Sequence, residues 1–316
     1  MHTWQWHTWS GLPYLTCSIL APTHGFFTRQ FSPRSPEELT QVLQPSSEVY
    51  RVKQVHGNLV LSPSEVRTQL EGLGAGGWGL GASGAEGENP IQNPKLTSER
   101  FVSLKGKLRE GSKIQNSLAT SHQPLTTTLS EADGLITEQP NQAVWVASAD
   151  CTPVLIADSK SGIVAAVHAG WRGTALKIVP QAIARLLTQG SQIQDLRIAL
   201  GPAIAGEVYQ VSTQVASSVG ASIFPAEDAQ SILDSLQQLP DSPILPDPHP
   251  ERVRLDIRRV IVLQLEQLGV SPEQVAIAPY CTYQEPEYFF SYRRDRLKKV
   301  QWSGIVSTNP TTTICI

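Results

Sequence analysis

The sequence predicts an α+β protein, and three observations carry that prediction. Residues 143–149 (AVWVASA) and 163–168 (IVAAVH) are short apolar runs of the kind that form buried strands. Two later segments place apolar residues at helical spacing. Turn-forming residues separate these pieces.

Taken in chain order, Tyr50, Val52 and Val55 suggest a strand that ends at the turn residues Gly57 and Asn58. Residues 70–130 change character, with a glycine-rich stretch followed by polar sequence that cannot bury enough apolar area to offset its ordering entropy. This reads as a mobile or loosely packed insertion, preceded by the helical pattern SEVRTQLEGL. The apolar runs at 143–149 and 163–168 follow as core strands. Thr174 is the expected cap of a helix that puts Leu176, Val179, Ile183, Leu186 and Leu187 on one face, is kinked at Pro180 and closes at Gly190. Strands are expected at 196–200, 208–211 and 275–278. The proline-rich segment 237–252 reads as an extended surface connection. Residues 256–268 form a helix with Ile257, Val260, Ile261, Leu263 and Leu268 on one face and Gly269 as its stop.

Composition narrows the function. With 316 residues, 40% hydrophobic and 17% charged, the chain is globular with some loop-like sequence. Its net charge of −3 and lack of long basic runs beyond Arg293-Arg294 and Lys298-Lys299 argue against a nucleic acid partner. Arg29 is the first basic residue, so the N-terminus lacks the pattern of a secretory signal, and no apolar stretch is long enough for a membrane span. The expected location is the cytoplasm. Cys17, Cys151, Cys281 and Cys315 are widely spaced and suggest no disulfide framework.

The segment SADCTPVLIADSKSGIVAAVHAGWRG reads as two strands joined by a turn. A hairpin centred on Ser159 and Lys160 would set Cys151 opposite His168, with Cβ atoms about 4.5–5.5 Å apart, near enough for both to hold one metal ion. His56 in KQVHG is a third candidate ligand. Three protein ligands leave a coordination position open, which is the catalytic type of site. Cys281 in PYCTY as a fourth ligand would close it and make the metal structural.

KQVHG at His56, ADGLIT at Asp133, SADCTP at Cys151, AVHAGWRG at His168 and the terminal FFSYRRD together resemble the YfiH family of purine nucleoside phosphorylases, also called the multicopper polyphenol oxidase or peptidoglycan editing factor family. The resemblance runs from HGFFTR to FFSYRRD and implies a single catalytic domain over residues 14–305. It implies mixed sheets packed together and flanked by helices. It further implies zinc on His56, Cys151 and His168, phosphorolysis of adenosine, inosine, guanosine and methylthioadenosine, and deamination of adenosine. The long segment between His56 and Asp133 departs from the family's shorter connection.

Deamination needs an activated water, which zinc can supply, although the H-x-E and P-C-x-x-C signature of nucleobase deaminases is absent. Asp150 and Asp133 are the candidate acid/base carboxylates, with turn or ligand-orienting roles as the alternative. Phosphorolysis needs an anion site, for which Arg172 beside a helix start is the candidate. A solvated turn arginine is the plainer reading. Arg29, Arg293 and Arg294 are further cations that read first as structural. The G-x-G-x-x-G match at Gly74, Gly76 and Gly79 lacks the strand and helix of a dinucleotide site, and residues 106–112 lack the P-loop lysine. Seven histidines with no H-x-H pair exclude multicopper electron transfer, while copper at the three-ligand site stays open as an alternative to zinc. Two other functions compete: a cysteine hydrolase or editing enzyme acting on a peptidoglycan precursor through Cys151 and His168, and a non-catalytic metal-binding protein. Oligomeric state is not legible.

Overall fold

The structure, a computed structural model, describes residues 2–74, 129–225 and 228–310. Its central strands are apolar on both faces, so each must be covered twice, and that requirement dictates the layering. One six-stranded sheet runs, in spatial order, Trp4–Trp9, Leu12–Cys17, His24–Phe27, Gln301–Val306, Gln142–Ser148 and Glu48–Tyr50. The other runs Val275–Ile277, Leu196–Leu200, Thr152–Asp158, Val164–Ala169, Gly134–Ile136 and Val60–Leu61. Both are mixed: Glu48–Tyr50 lies parallel to Gln142–Ser148, and Val60–Leu61 parallel to Gly134–Ile136, among antiparallel neighbours. The hairpin of the first two strands begins before residue 14.

Strand Gln142–Ser148 shows how two-sided burial is met. Val144 and Val146 pack with Leu155, Ala157, Val164 and Ala166 in a core between the sheets. Ala143 and Trp145 join the opposite core with Leu39 of helix Pro36–Leu43, where the Trp145 indole donates to Thr40 Oγ1 at 3.1 Å. Gly304 makes room for that ring, since a Cβ there would lie 2.5 Å from it. On the far side of the second sheet, Val154, Ile156, Ala165 and Val167 pack with Ile178, Val179 and Ile183 of helix Ile178–Thr188 and with Val260 and Ile261 of helix Ile257–Gln267. A small sheet of Gln210–Ser212, Arg252–Leu255 and Ile244–Pro246 adds Val211, Val253 and Leu255 to this core. The architecture is therefore α+β, mixed sheets packed together with flanking helices.

Several expected details differ. In the hairpin after Cys151, Pro153 stands opposite His168, in place of the expected Cys151. Asp158 sets this register: its carboxylate accepts from Lys160 N at 2.8 Å and Ser161 N at 3.1 Å, drawing more residues into the turn than a tight two-residue loop would hold. The slip is by an even number of residues, so every side chain keeps its expected face. Thr174 caps no helix. It is buried within the short helix Trp171–Ala175, and the longer helix starts after Lys177, whose φ of 59° turns the chain. Pro180 consequently sits in the first turn of that helix, where its missing N–H costs no intrahelical bond. Leu176, expected on the buried face, is 51% exposed. Within the short helix Gly173 packs so closely against the Gly57 carbonyl that a Cβ would approach to 2.9 Å, which sets this helix against the His56 loop.

The strand expected through Val55 stops at Tyr50, with an isolated bridge at Lys53. Residues 208–211 divide into a 3-10 turn, Gly206–Val208, and the strand from Gln210. The proline-rich stretch is more than a connection, because Ile244–Pro246 pairs with Arg252–Leu255 and buries Ile244. The helix expected at 256–268 forms as Ile257–Gln267, capped by Asp256 accepting from Arg259 N at 3.1 Å and followed by Gly269 at φ 82°. The reading of residues 70–130 as an insertion falls almost wholly outside the described residues, beyond helix Pro63–Gly74.

Candidate active site

The site begins with Asp133, which immediately precedes strand Gly134–Ile136 and is fully buried. Its carboxylate accepts from the backbone amides of Val55 at 3.2 Å, His56 at 2.9 Å and Gly57 at 2.6 Å, and its Oδ1 lies 2.9 Å from His168 Nδ1. Burial alone would raise this carboxyl. The hydrogen bonds from His168 and from the 55–57 loop outweigh it and hold Asp133 below its ordinary value. His56 takes a left-handed backbone conformation, φ 61°, uncommon for a residue with a side chain, and the three amide bonds to Asp133 fix it there. This supplies the physical reason for His56 to meet the hairpin.

His168 lies in strand Val164–Ala169. With Nδ1 on Asp133, its Nε2 is the nitrogen left for a further partner. Cys151 lies just outside strand Thr152–Asp158, after Asp150, whose φ is 98°. The bend at Asp150 replaces the expected cross-strand pairing as the device that aims the thiol at His168. Donor atoms of His56, Cys151 and His168 all lie within 4.8 Å of one another. The two imidazoles meet edge to face with centroids 4.9 Å apart. Burial opposes ionisation of the Cys151 thiol, but the positive charge and hydrogen bond of His168, then of His56, bring it well below its usual value. His168 is correspondingly raised: burial opposes its charge, and the Cys151 thiolate and Asp133 overcome that.

The donor set fits a transition metal. A thiolate and two imidazoles this close together suit zinc or copper. Gly170 leaves the space open, since a Cβ there would stand 2.9 Å from Cys151 Sγ and 3.4 Å from the His56 ring. Cys281 does not join them. Its sulfur accepts from Ala205 N at 3.3 Å, and among the described residues the metal-type cluster has three members.

These donors open into a cavity of about 570 Å³, a size suited to a small organic ligand. Asp150 lines it, with one carboxylate oxygen accepting from Thr282 Oγ1 at 2.8 Å and the other from Arg293 N at 2.6 Å. Arg172 also lines it, in the first turn of helix Trp171–Ala175 instead of ahead of a helix as expected. Its guanidinium rests over Trp171, 4.4 Å from the ring centroid, and forms no ion pair or hydrogen bond among the described residues. Asp133 lies outside the cavity wall. Arg29 and Arg294 are structural: Arg29 donates to the Pro286 carbonyl, and Arg294 to the carbonyls of Thr282, Tyr283 and Phe289. Arg293 does reach the cavity and sits over the Tyr209 ring at 4.9 Å.

Sequence reasoning missed Tyr209, Tyr292 and Arg296 in the cavity wall. Burial and the negative charge of Cys151 push the Tyr209 phenol up to about 12, so it stays a neutral donor. The density of cations from Arg293 to Lys299 was a usable signal, but no pattern marked Tyr209.

A family model described as multi-copper polyphenol oxidoreductase laccase matches residues 105–306. A Synechocystis protein named purine nucleoside phosphorylase is 45% identical over 310 residues, covering 96% of this chain and 97% of its own length. A protein from an unknown prokaryotic organism, named adenosine deaminase, is 28% identical over 166 residues, 52% of this chain and 59% of its own. Among solved structures, YlmD from Geobacillus stearothermophilus superposes with a TM-score of 0.66 at 20% identity, over 96% of this chain and 99% of that one, and so shares the fold. The chain belongs to the YfiH family, the one described as multi-copper polyphenol oxidoreductase laccases.

Proposed function

We propose that the protein is a metal-dependent purine nucleoside phosphorylase acting on adenosine, inosine, guanosine and methylthioadenosine, with adenosine deaminase activity, and that residues 14–305 form its catalytic unit. The observation that carries this reading is one cavity holding both a His56, Cys151 and His168 donor set and an Arg172 that forms no ion pair or hydrogen bond among the described residues. Names of the similar proteins support both activities.

In phosphorolysis an oxygen of inorganic phosphate bonds to C1′ of the ribose, the bond from C1′ to the purine nitrogen breaks, and the base leaves with the electron pair and takes up a proton. Arg172 binds and orients the phosphate, because a guanidinium without a hydrogen-bond partner among the described residues can engage two phosphate oxygens at once. Tyr209 donates a hydrogen bond toward the base. Asp150 is the acid/base candidate, held in the wall by Thr282 and the Arg293 amide. His56, Cys151 and His168 would hold zinc, with copper as the alternative, and a bound ion would supply Lewis-acid polarisation for the deamination. Asp133 is a positioning residue, acting through His56 and His168.

The cysteine hydrolase reading draws on the same paired thiolate and imidazole, yet gives His56 no role. Metal content and phosphate-dependent hypoxanthine release from inosine, measured for the wild type and Cys151→Ala, separate the readings. Loss of both in the variant is expected, with activity down at least about a hundredfold. Unchanged metal and turnover would overturn the proposal.

A further inference from the structure

A second cavity, of about 220 Å³, adjoins the first and shares Lys298, Lys299, Val300 and Trp302 with it. It is smaller than most small-molecule sites, so it suits an extension of a ligand seated next door better than a separate ligand. Its polar groups are unevenly committed. Thr28 donates to the Pro13 carbonyl, and the Gln301 amide both accepts from and donates to the Phe290 backbone. Arg34, Lys298 and Lys299 have no hydrogen bond or ion pair among the described residues, and no carboxylate lines this cavity. Arg34 is steadied by rings alone, 5.8 Å from Trp9 and 5.9 Å from Phe31, and Lys299 lies 5.9 Å from Phe290.

Three cations without an ion pair among the described residues, Arg34 half-buried and Lys298 and Lys299 exposed, exceed what a neutral nucleoside needs. Arg34 lines the second cavity alone and Lys298 and Lys299 line both, whereas Arg172 lines only the first. We propose that the second cavity is a phosphoryl-group subsite, and that it receives the phosphate monoester of a nucleotide whose nucleoside portion occupies the first. Arginine and lysine around a confined anion match a phosphate dianion in charge and hydrogen-bond geometry. The subsite widens the ligand class from nucleosides to their monophosphates. The choice of nucleotide rests on the nucleoside reading of the first cavity; the phosphoryl subsite does not.

Calorimetric titration of the metal-loaded full chain tests it, using inosine, inosine 5′-monophosphate, ribose 5-phosphate and inorganic phosphate against wild type, Arg34→Ala and Arg34→Lys. Arg34 touches only the second cavity, so inosine phosphorolysis should stay within about twofold in both variants, which also verifies folding. Arg34→Ala should weaken the two phosphate monoesters about tenfold, and Arg34→Lys should restore most of that affinity. An equal loss for inorganic phosphate would assign the subsite to the free anion. If inosine is neither bound nor cleaved but ribose 5-phosphate still depends on Arg34, the nucleoside reading falls and the subsite stands. Phosphate-bearing probes indifferent to Arg34→Ala would overturn the proposal.

Discussion

Asp133 does two jobs with one carboxylate. It holds the His168 imidazole by Nδ1, and it gathers three consecutive amides so that His56 stays in a left-handed turn. Asp133→Asn keeps the shape but removes the charge and places an amide donor where a donor already points. Metal affinity should fall about 10- to 100-fold, as found when carboxylates behind ligating histidines are lost. Competition with a chromophoric chelator measures this, and unchanged affinity would assign Asp133 a purely structural role. None of this was visible in the sequence beyond the motif ADGLIT, because the two ends of the contact are far apart in the chain.

At the scale of elements, the turn at Asp158 decides the register that seats His168. Burial would raise the Asp158 carboxyl, but the nearby Ser191 hydroxyl and then the Ser161 and Lys160 amides of the turn hold it below its ordinary value. A depressed folded-state value means stability that is fully present above the unfolded value, near 4, and lost as pH falls through the lower folded value. Asp158→Ala should therefore cost about 1–2 kcal/mol at neutral pH, and the gap from wild type should narrow below pH ~4. Urea unfolding across that range measures it; a gap independent of pH would refute the assignment.

Elements built on local periodicity were legible: the strands around 143–149 and 163–168 and the helix ending at Gly269 all form. Elements ended by a backbone turn without a periodic signal were not. The helix expected from Thr174 breaks at Leu176 and Lys177, where Lys177 takes a left-handed conformation that the local sequence does not announce. The Cys151 and His168 encounter was anticipated through the wrong pairing, and the Asp150 bend that achieves it leaves no periodic trace.

For the whole molecule, the candidate site joins separate parts. His56 lies on the loop between strands Glu48–Tyr50 of one sheet and Val60–Leu61 of the other, Cys151 on the link from Gln142–Ser148 of the first sheet to Thr152–Asp158 of the second, and His168 in the second sheet. An ion shared by all three would bind the folded state and not the unfolded chain. At about a hundredfold excess over Kd it adds ~2.7 kcal/mol. Chelation should lower the melting temperature by several degrees, and Cys151→Ala should remove the sensitivity to chelator. Scanning calorimetry with and without chelator reads both; a chelator response retained in Cys151→Ala would place the ion elsewhere.

The parallel pairing of Val60–Leu61 with Gly134–Ile136, together with the bridge from Lys53 to Glu131, has a consequence for how this chain can diverge. It sets the departure and return of the intervening sequence side by side, already joined by backbone hydrogen bonds from Lys53 N to Ser130 O at 2.9 Å and from Ala132 N to Lys53 O at 3.1 Å. Closing a connection between fixed neighbours grows costlier only with the logarithm of its length, ~0.6 kcal/mol for each doubling. Sequence can accumulate there over generations while His56 and Asp133, on either side of the seam, keep their positions.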